Sequence, residues 1–306
     1  MTQARTYSPN VRVGNWIEDL VLKEDMLKDF LEQKGRGELT LQKVGTLRDN
    51  IMKSVELSVT LGMVRFGDTV MLVNPGREEP DQRDPCALSI LTDISNIRPP
   101  PQQTDNQSLQ APCLVGGARS LQPCVRNAFV IDSVDGTPKG DMLLYDQSFC
   151  LRTTAGYAGG LYLASDVKSF QKCAPKSRLQ EVNLVEELNF LCHWKLKYID
   201  PQERLEHEGF PVSANSRVLI SHCKTNQCLS LMENHILWTP FGKEYEITAQ
   251  TRLDSHKAEQ DGNHWIFSTS DPGNHGHTLF QTQQANQITE ETQSDPQPVS
   301  DPTPDH

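Results

Sequence analysis

Arg217-Val-Leu-Ile-Ser-His222 opens the stretch of sequence that decides the fold class, and Asn263-His-Trp265 closes it. Between them lies Tyr245-Glu-Ile-Thr-Ala249, in which apolar and polar residues alternate. This period of two predicts a β-strand with one solvent-exposed face. Parts of the stretch recur twice upstream, so the whole chain can be interpreted from it.

The closing motif is an aromatic residue followed six positions later by an aspartate and a turn residue. The aromatic residues are Phe129, Trp194 and Trp265, which are 65 and 71 residues apart. His193 and His264 directly precede the two tryptophans. Because neighbours on a strand point to opposite sides, we expect the aromatic residues in the repeat core and the histidines at the surface.

The opening motif is the start of a strand, followed by a cysteine before another short apolar run. It also occurs three times, and one unit of short strands cannot bury its own apolar face. Three such units predict an all-β, β-trefoil-like body, since closure leaves few sheet edges unprotected. The strand starts and cysteines are Gly67 with Cys86, Gly140 with Cys150, and Ser216 with Cys228.

The predicted organisation has an N-terminal part, the body and a tail. Residues 1–59 hold an arm, an amphipathic helix and lead-in strands. Residues 273–306 are expected to form an acidic, largely disordered tail, because their apolar content is too low to offset the entropy of ordering. The body spans 60–272, with repeats at about 60–135, 136–201 and 212–272.

The N-terminal helix is predicted to have about three turns and to end near Gly35 and Gly37. Because so short a helix is unstable alone, we expect its apolar face to pack against another surface. The body of the same chain is the favoured surface, and a partner is the alternative. Leu39 to Val44 and Val55 to Val59 are predicted to be strands. The apolar face consists of Leu22, Met26, Leu27, Phe30 and Leu31.

Several connections can be predicted from turn residues. Gly76 to Pro85 and Ile97 to Gln110 are expected to be long surface loops. The glycines between Gly156 and Gly160 fit no phosphate-binding fingerprint and favour a turn. Asp200 followed by Pro201 predicts a short helix that ends near Gly209.

Composition limits the function classes. A net charge of −11 argues against a nucleic-acid-binding protein, which needs a basic face. The sequence contains no apolar run long enough to cross a bilayer and does not start with a signal peptide. The eight cysteines are therefore expected to be reduced and packed as small hydrophobic residues.

No catalytic, cofactor or metal site is predicted. His222-Cys223 with Cys228 and His235 could be drawn as a zinc site, but a second ligand pair at a standard separation is missing. Asp254-Ser-His-Lys257 cannot form a triad, because consecutive residues point in different directions. The sequence therefore predicts a protein that is not an enzyme and has no small-molecule substrate.

Long motifs resemble those of the cilia- and flagella-associated protein 161 family, from about Val11 to Trp265. The segment from Phe241 to Trp265 also resembles a MIR-type trefoil repeat, which supports the fold prediction and leaves function open. The family-like motifs are Val11-Arg-Val-Gly-Asn-Trp-Ile-Glu-Asp19, Gly67-Asp-Thr-Val-Met-Leu-Val-Asn-Pro75, Glu208-Gly-Phe-Pro-Val-Ser-Ala-Asn215, Phe241-Gly-Lys-Glu244 and Asp254-Ser-His-Lys257.

This resemblance implies a microtubule inner protein that lies within the A-tubule of the doublet microtubules in motile cilia and flagella. The implied partners are tubulin and other microtubule inner proteins, the implied location is the axonemal cytoskeleton, and no catalytic residues or cofactors come with the family. Tryptophan is a frequent interface hot spot, so we expect the arm to be an anchor. The expected partner-binding residues are Gly14, Asn15, Trp16, Glu18 and Asp19.

Two other function classes remain open. A trefoil that binds inositol phosphate would need a basic cluster, and Arg65, Lys139, Arg152 and Lys168 are scattered in sequence. A sugar-binding trefoil usually carries a Gln-x-Trp motif in each repeat, and this sequence has none. A soluble scaffold for ciliary assembly or transport is the other alternative. Basic residues considered for partner contact are Lys176, Arg178, Lys195 and Lys197.

Overall fold

The computed structural model describes residues 16–60, 62–77, 83–98, 108–272, 278 and 280. The chain divides into two compact units, Met1–Arg48 and Asp49–His306. Among the described residues, no helix is both long enough and apolar enough to cross a membrane. The predicted tail boundaries and most of the tail lie outside the described residues, as do positions 99–107 of the predicted proline-rich loop.

Two helices form the N-terminal region, α1 at Trp16–Gly35 and α2 at Thr40–Ile51. α1 is longer than the three turns predicted. The prediction of a strand from Leu39 to Val44 was wrong, because Val44, Leu47 and Ile51 continue the apolar pattern at helical spacing. Residues 55–60 form no named strand and make single backbone contacts, such as Ser58 N–H to the Thr69 carbonyl at 2.9 Å.

The apolar face predicted for α1 is present but is not buried. Its five side chains, from Leu22 to Leu31, are each 49% to 64% exposed. The packing of this face against the body stays a prediction, as does the alternative that a partner covers it. The spacing of the apolar residues predicted the helix correctly. It does not show which surface their side chains contact.

The second unit is mostly β-structure, which confirms the all-β prediction for the body. Twelve strands form one hydrogen-bonded network, and β3 and β4 form a separate two-stranded ribbon. Short 3-10 turns lie at Ile94–Asn96, Phe190–Cys192 and Asp261–Asn263. The strands are β1 Thr69–Asn74, β2 Cys86–Leu91, β3 Ile97–Arg98, β4 Ser108–Leu109, β5 Cys113–Ala118, β6 Ala128–Ser133, β7 Ser148–Thr153, β8 Tyr162–Ser165, β9 Val182–Val185, β10 Trp194–Lys197, β11 Arg217–His222, β12 Leu229–Thr239, β13 Gly242–Ala249 and β14 His264–Ser268.

The antiparallel pairings close the network into a barrel. The shortest closed ring runs β1, β6, β7, β10, β11 and β14, and β14 pairs back with β1. A longer circuit of nine strands replaces β6 with β8, β9, β5 and β2. The remaining hairpin, β12–β13, joins through the pairing of β13 with β5. Closure removes the exposed edges that an open sheet would present.

The core of the barrel contains the three aromatic residues that the repeat motif selected. Phe129, Trp194 and Trp265 are all fully buried. Trp194 Nε1 donates to the Leu163 carbonyl at 2.9 Å, and Trp265 Nε1 donates to the Leu229 carbonyl at 3.0 Å. Each indole therefore buries its apolar area without leaving its N–H group unpaired.

Asn74 joins the first strand of the barrel to the segment that leads into its last strand. Its side-chain amide donates to the carbonyls of Asp261 at 2.9 Å and His264 at 2.7 Å. Its amide oxygen accepts from the Gly76 N–H group. Because Asn74 is completely buried, these bonds are made in a low-dielectric environment where an unpaired group would be costly.

Other connections are close to prediction. A turn occupies residues 156–160, as the glycines indicated. The helix predicted after Asp200 is only one turn, α3 at Arg204–His207, and Asp200 caps the preceding turn by accepting from Gln202 N–H at 2.8 Å. All eight cysteines are free, and six of them are buried. Burial raises the pKa of the Cys150 thiol to about 12, so it behaves as an apolar group.

Candidate partner interface

The predicted anchor in the arm is only partly within the described residues. Gly14 and Asn15 lie outside them, and Trp16 is the first residue of α1, with a side chain that also lies outside the described part. Glu18 and Asp19 are exposed in the first turn of α1. Acidic side chains there complement the positive end of the helix dipole, which is a sufficient structural reason for them. The anchor therefore remains a prediction.

The residues considered for a zinc site do not converge. His222 is fully buried, and its ring nitrogens lie 2.9 Å from Thr225 Oγ1 and 3.0 Å from the Leu191 carbonyl. Burial lowers the pKa of His222 below its ordinary value, which favours the neutral ring. Among the residues that the structure describes, no group of three or more histidine, cysteine or acidic side chains could hold a metal ion.

The two histidines expected at the surface are half-buried. His264 Nε2 lies 3.0 Å from the Glu259 carbonyl, and burial lowers the pKa of this histidine. His193 packs its ring edge-on against Phe190, with centroids 5.3 Å apart. Both rings therefore have local structural partners, and the expectation of solvated histidines was wrong.

Strand β13 differs from prediction in a way that shapes the surface around it. The side predicted to face solvent is buried: Glu244, Glu246 and Thr248 are at most 2% exposed. Strand alternation correctly placed these residues on one face, but that face is covered by other elements of the body. The carboxylates of Glu244 and Glu246 are therefore buried, although acidic residues usually lie at the surface.

Glu244 is held by an arginine that is equally buried. Arg126 Nη2 lies 2.5 Å from Glu244 Oε1, and Arg126 Nε donates to the Ile90 carbonyl at 2.8 Å. The guanidinium also lies over the Phe241 ring, 4.0 Å from its centroid. Burial raises the pKa of Glu244, and the charge of Arg126 opposes that rise. Because Glu244 pairs with Leu237, next to Trp238, this ion pair holds the turn end of the β12–β13 hairpin against the body.

Glu246 holds a loop instead of a charged side chain. Its two carboxylate oxygens accept from the backbone N–H groups of Lys176 at 2.7 Å and Ser177 at 2.8 Å. Charge-assisted bonds to two successive N–H groups are strong and directional. The loop between β8 and β9 is therefore fixed to strand β13 at its C-terminal end.

The β12–β13 hairpin ends in an exposed tryptophan. It contains the longest strands of the described chain, with 11 and 8 residues. Trp238 lies next to the turn, directly opposite Lys243, and is 82% exposed. A side chain of this size normally buries most of its apolar area, so Trp238 is a candidate contact residue.

A shallow cleft of about 210 Å³ lies at another part of the body. Its two cations are already engaged, because Arg204 donates to Glu259 at 2.6 Å and Lys197 donates to Asn226 at 2.7 Å. Of the cations considered for a phosphate site, Arg152 is paired with Asp132 and Arg65 donates to the Gly140 carbonyl. The geometry therefore offers no specific support for an inositol phosphate site.

The sequence analysis missed Phe170 and Trp238, which at 99% and 82% are the two most exposed large hydrophobic aromatic residues of the described chain. One signal for Trp238 was present, because Trp238-Thr-Pro-Phe-Gly242 places a tryptophan directly before a turn sequence. Phe170 lies in a polar, lysine-rich segment that has no strand or helix period, which is typical of an exposed loop. Neither aromatic residue belongs to the repeat pattern that places Phe129, Trp194 and Trp265 in the core.

Comparison with known proteins identifies the family of this chain. Residues 43–270 match the cilia- and flagella-associated protein 161-like domain. The chain is 60% identical to cilia- and flagella-associated protein 161 of Danio rerio over 93% of this chain and 95% of that protein. It is 39% identical to the protein of the same name in Mus musculus, over 94% and 95% of the two chains, and 39% identical to that of Bos taurus, over 87% and 83%. The chain therefore belongs to the cilia- and flagella-associated protein 161 family.

Proposed function

We propose that this protein is a non-enzymatic structural component of motile cilia and flagella, bound as a microtubule inner protein to the luminal wall of the A-tubule. The names of its relatives describe association with cilia and flagella and mention no reaction. Its partners in this proposal are tubulin and other microtubule inner proteins. Its role is to stabilise the wall by bridging neighbouring subunits.

The observation that carries this proposal is the exposed Trp238 on the longest hairpin. A structural protein that acts by binding neighbouring subunits needs a rigid body and contact residues that already have their binding conformation. The closed barrel supplies the first. Trp238 supplies the second, because the buried Arg126–Glu244 pair holds the hairpin next to it, near the turn. Preorganised contacts lose little entropy on binding, which raises affinity.

We also infer that the body is a β-trefoil with three repeats. Three consecutive blocks each supply four strands, of which the first and fourth belong to the six-stranded ring and the second and third pair with each other. Trp194 and Trp265, each at the start of a fourth strand, donate to the second strand of their own block. The blocks are β1, β2, β5 and β6; β7 to β10; and β11 to β14. An experimental structure whose blocks do not superpose about a common threefold axis would refute this inference.

Extraction of doublet microtubules tests the proposed location. After detergent and high-salt washing of isolated axonemes, we expect the protein to stay with the doublets and to be released only when the tubule wall is dissolved. Cryo-electron tomography of the washed doublets should then show density inside the A-tubule that is missing after deletion of the gene. Release with the soluble fraction would instead favour a factor for ciliary assembly or transport.

The arm supplies a second proposed anchor. Replacing Trp16 with alanine should abolish incorporation into axonemes and leave the melting temperature of the purified protein unchanged, because the arm contacts a partner in this proposal. Quantitative immunoblotting of washed axonemes and thermal unfolding provide the two measurements. A lower melting temperature with normal incorporation would show that Trp16 stabilises the fold and is no anchor.

A further inference from the structure

The loop between β8 and β9, residues 166–178, has an unusual charge for this protein. It contains four basic residues and Asp166, so its formal charge is 4 − 1 = +3 within a chain of net charge −11. Lys224 lies on the same surface, with Nζ 3.0 Å from Asp166 Oδ1. The basic residues are Lys168, Lys172, Lys176 and Arg178.

The loop also presents an apolar side chain between these cations. Phe170 is 99% exposed, the highest exposure among the large hydrophobic residues that the structure describes. Val167, three residues earlier, is 55% exposed. An aromatic ring in water is unfavourable, and placing it inside a partner would recover about 25 cal/mol for each Å² removed from water.

This loop is held in a defined conformation. Besides the two bonds that Glu246 accepts from the N–H groups of Lys176 and Ser177, the Ala174 N–H group donates to the Leu179 carbonyl at 2.9 Å. Near Phe170, Ser169 N–H donates to the Lys172 carbonyl at 3.0 Å, and Lys172 N–H donates to Ser169 Oγ at 3.0 Å. Arg178 adopts a left-handed conformation with φ of 57°, which ends the loop in a tight turn. The buried carboxylate of Glu246 thus organises an exposed basic surface.

We propose that the loop of residues 166–178 docks on an acidic surface of tubulin, with Phe170 inserted into an apolar hollow between the acidic groups. This inference rests on the proposed function only for the identity of the partner. The four cations would set orientation and association rate, and Phe170 would supply most of the affinity.

Charge distribution favours a protein partner over an anionic membrane. Glu181, Glu186 and Glu187 follow the loop directly in sequence, and the protein as a whole is acidic. A flat anionic bilayer extends beyond the loop, so the net charge of −11 on the whole protein would repel it. A folded partner can place its acidic groups opposite the lysines alone and can provide a hollow for one ring.

Charge reversal in the loop tests the inference. The variant K168E/K172E/K176E changes the charge by six units, and the matched control K53E/K139E/K257E makes the same change at exposed lysines elsewhere. Each full-length protein is expressed in ciliated cells that lack their own copy, and the amount retained on salt-washed doublets is measured relative to tubulin. We expect at least a tenfold loss for the loop variant and less than a twofold loss for the control. F170S should also lose at least tenfold without any change in melting temperature.

The outcomes separate the two proposals. If the wild-type protein is not retained on doublets, the proposed function fails, whatever the loop does. If the wild-type protein is retained and both K168E/K172E/K176E and F170S are retained equally well, the loop inference is overturned and the proposed function stands. Vesicles of phosphatidylserine and phosphatidylcholine provide the second probe. Wild-type binding to them that K168E/K172E/K176E abolishes, with doublet retention unchanged, would identify the loop as a membrane contact and overturn the inference.

Discussion

Replacing Arg126 with methionine should lower the free energy of unfolding by about 3–5 kcal/mol, because it leaves the Glu244 carboxylate buried without its partner. Both side chains are at most 5% exposed, and Nη2 and Oε1 are 2.5 Å apart. Without Arg126, burial would raise the pKa of Glu244 further. A carboxyl whose folded-state pKa is raised costs stability above its unfolded pKa, so the loss should be larger at pH 8 than at pH 5. Urea titrations at both pH values measure it.

Two further variants keep this prediction testable. R126M/E244Q removes the uncompensated charge and should recover most of the lost stability. R36M serves as the matched control, because the Arg36–Glu32 pair, 3.2 Å apart, is exposed on both sides. Exposed pairs contribute about 0–1 kcal/mol, so R36M should change stability little. Equal losses in R126M and R126M/E244Q would show that packing over Phe241, and not charge compensation, is what Arg126 supplies.

Replacing Trp238 with alanine should reduce incorporation into axonemes by about 30-fold or more, since hot-spot tryptophans contribute about 2 kcal/mol or more to binding. The purified variant should melt at the wild-type temperature, because the side chain is 82% exposed and contributes little to the folded body. Retention on washed doublets and thermal unfolding measure the two effects.

L205A is the control for Trp238. Leu205, in α3, is 83% exposed, so its replacement also removes an exposed apolar side chain. It lies at the edge of the shallow cleft and not on the hairpin. We expect its incorporation to match the wild type. An equal loss in both variants would mean that general surface apolarity, and not the hairpin, determines incorporation.

The repeat motifs predicted the β-class of the body because they depend on local chemistry. Phe129, Trp194 and Trp265 belong to strands that must bury one face, and all three are buried. The same logic failed for Glu244 and Glu246. Alternation shows which residues share a face of β13, but whether that face meets water depends on Arg126 and on the 166–178 loop, which are distant in sequence.

The candidate interface could not be predicted for a related reason. Exposed hydrophobic side chains are common on folded proteins, and no periodic pattern in the sequence distinguishes them from buried ones. Trp16 was selected because tryptophans are frequent anchors, and the same argument applied equally to Trp238, which lies between two strand-like runs. Only the register of β12 with β13 placed Trp238 at the end of the hairpin.

The closure of the barrel has a consequence for biosynthesis. Met71 in β1 pairs with Ser268 in β14, and Asn74 also bonds to the segment before β14, so the first strand is completed by residues about 200 positions later. At a synthesis rate of about 5–20 residues per second, β14 is made about 10–40 s after β1. During that time the apolar strands of the earlier blocks are exposed on the ribosome, and contacts of such long range also form slowly. Production of this protein should therefore depend on chaperones that hold nascent chains. A stop codon before β14 would leave β1 paired with β2 and β6 but without the strand that closes the barrel.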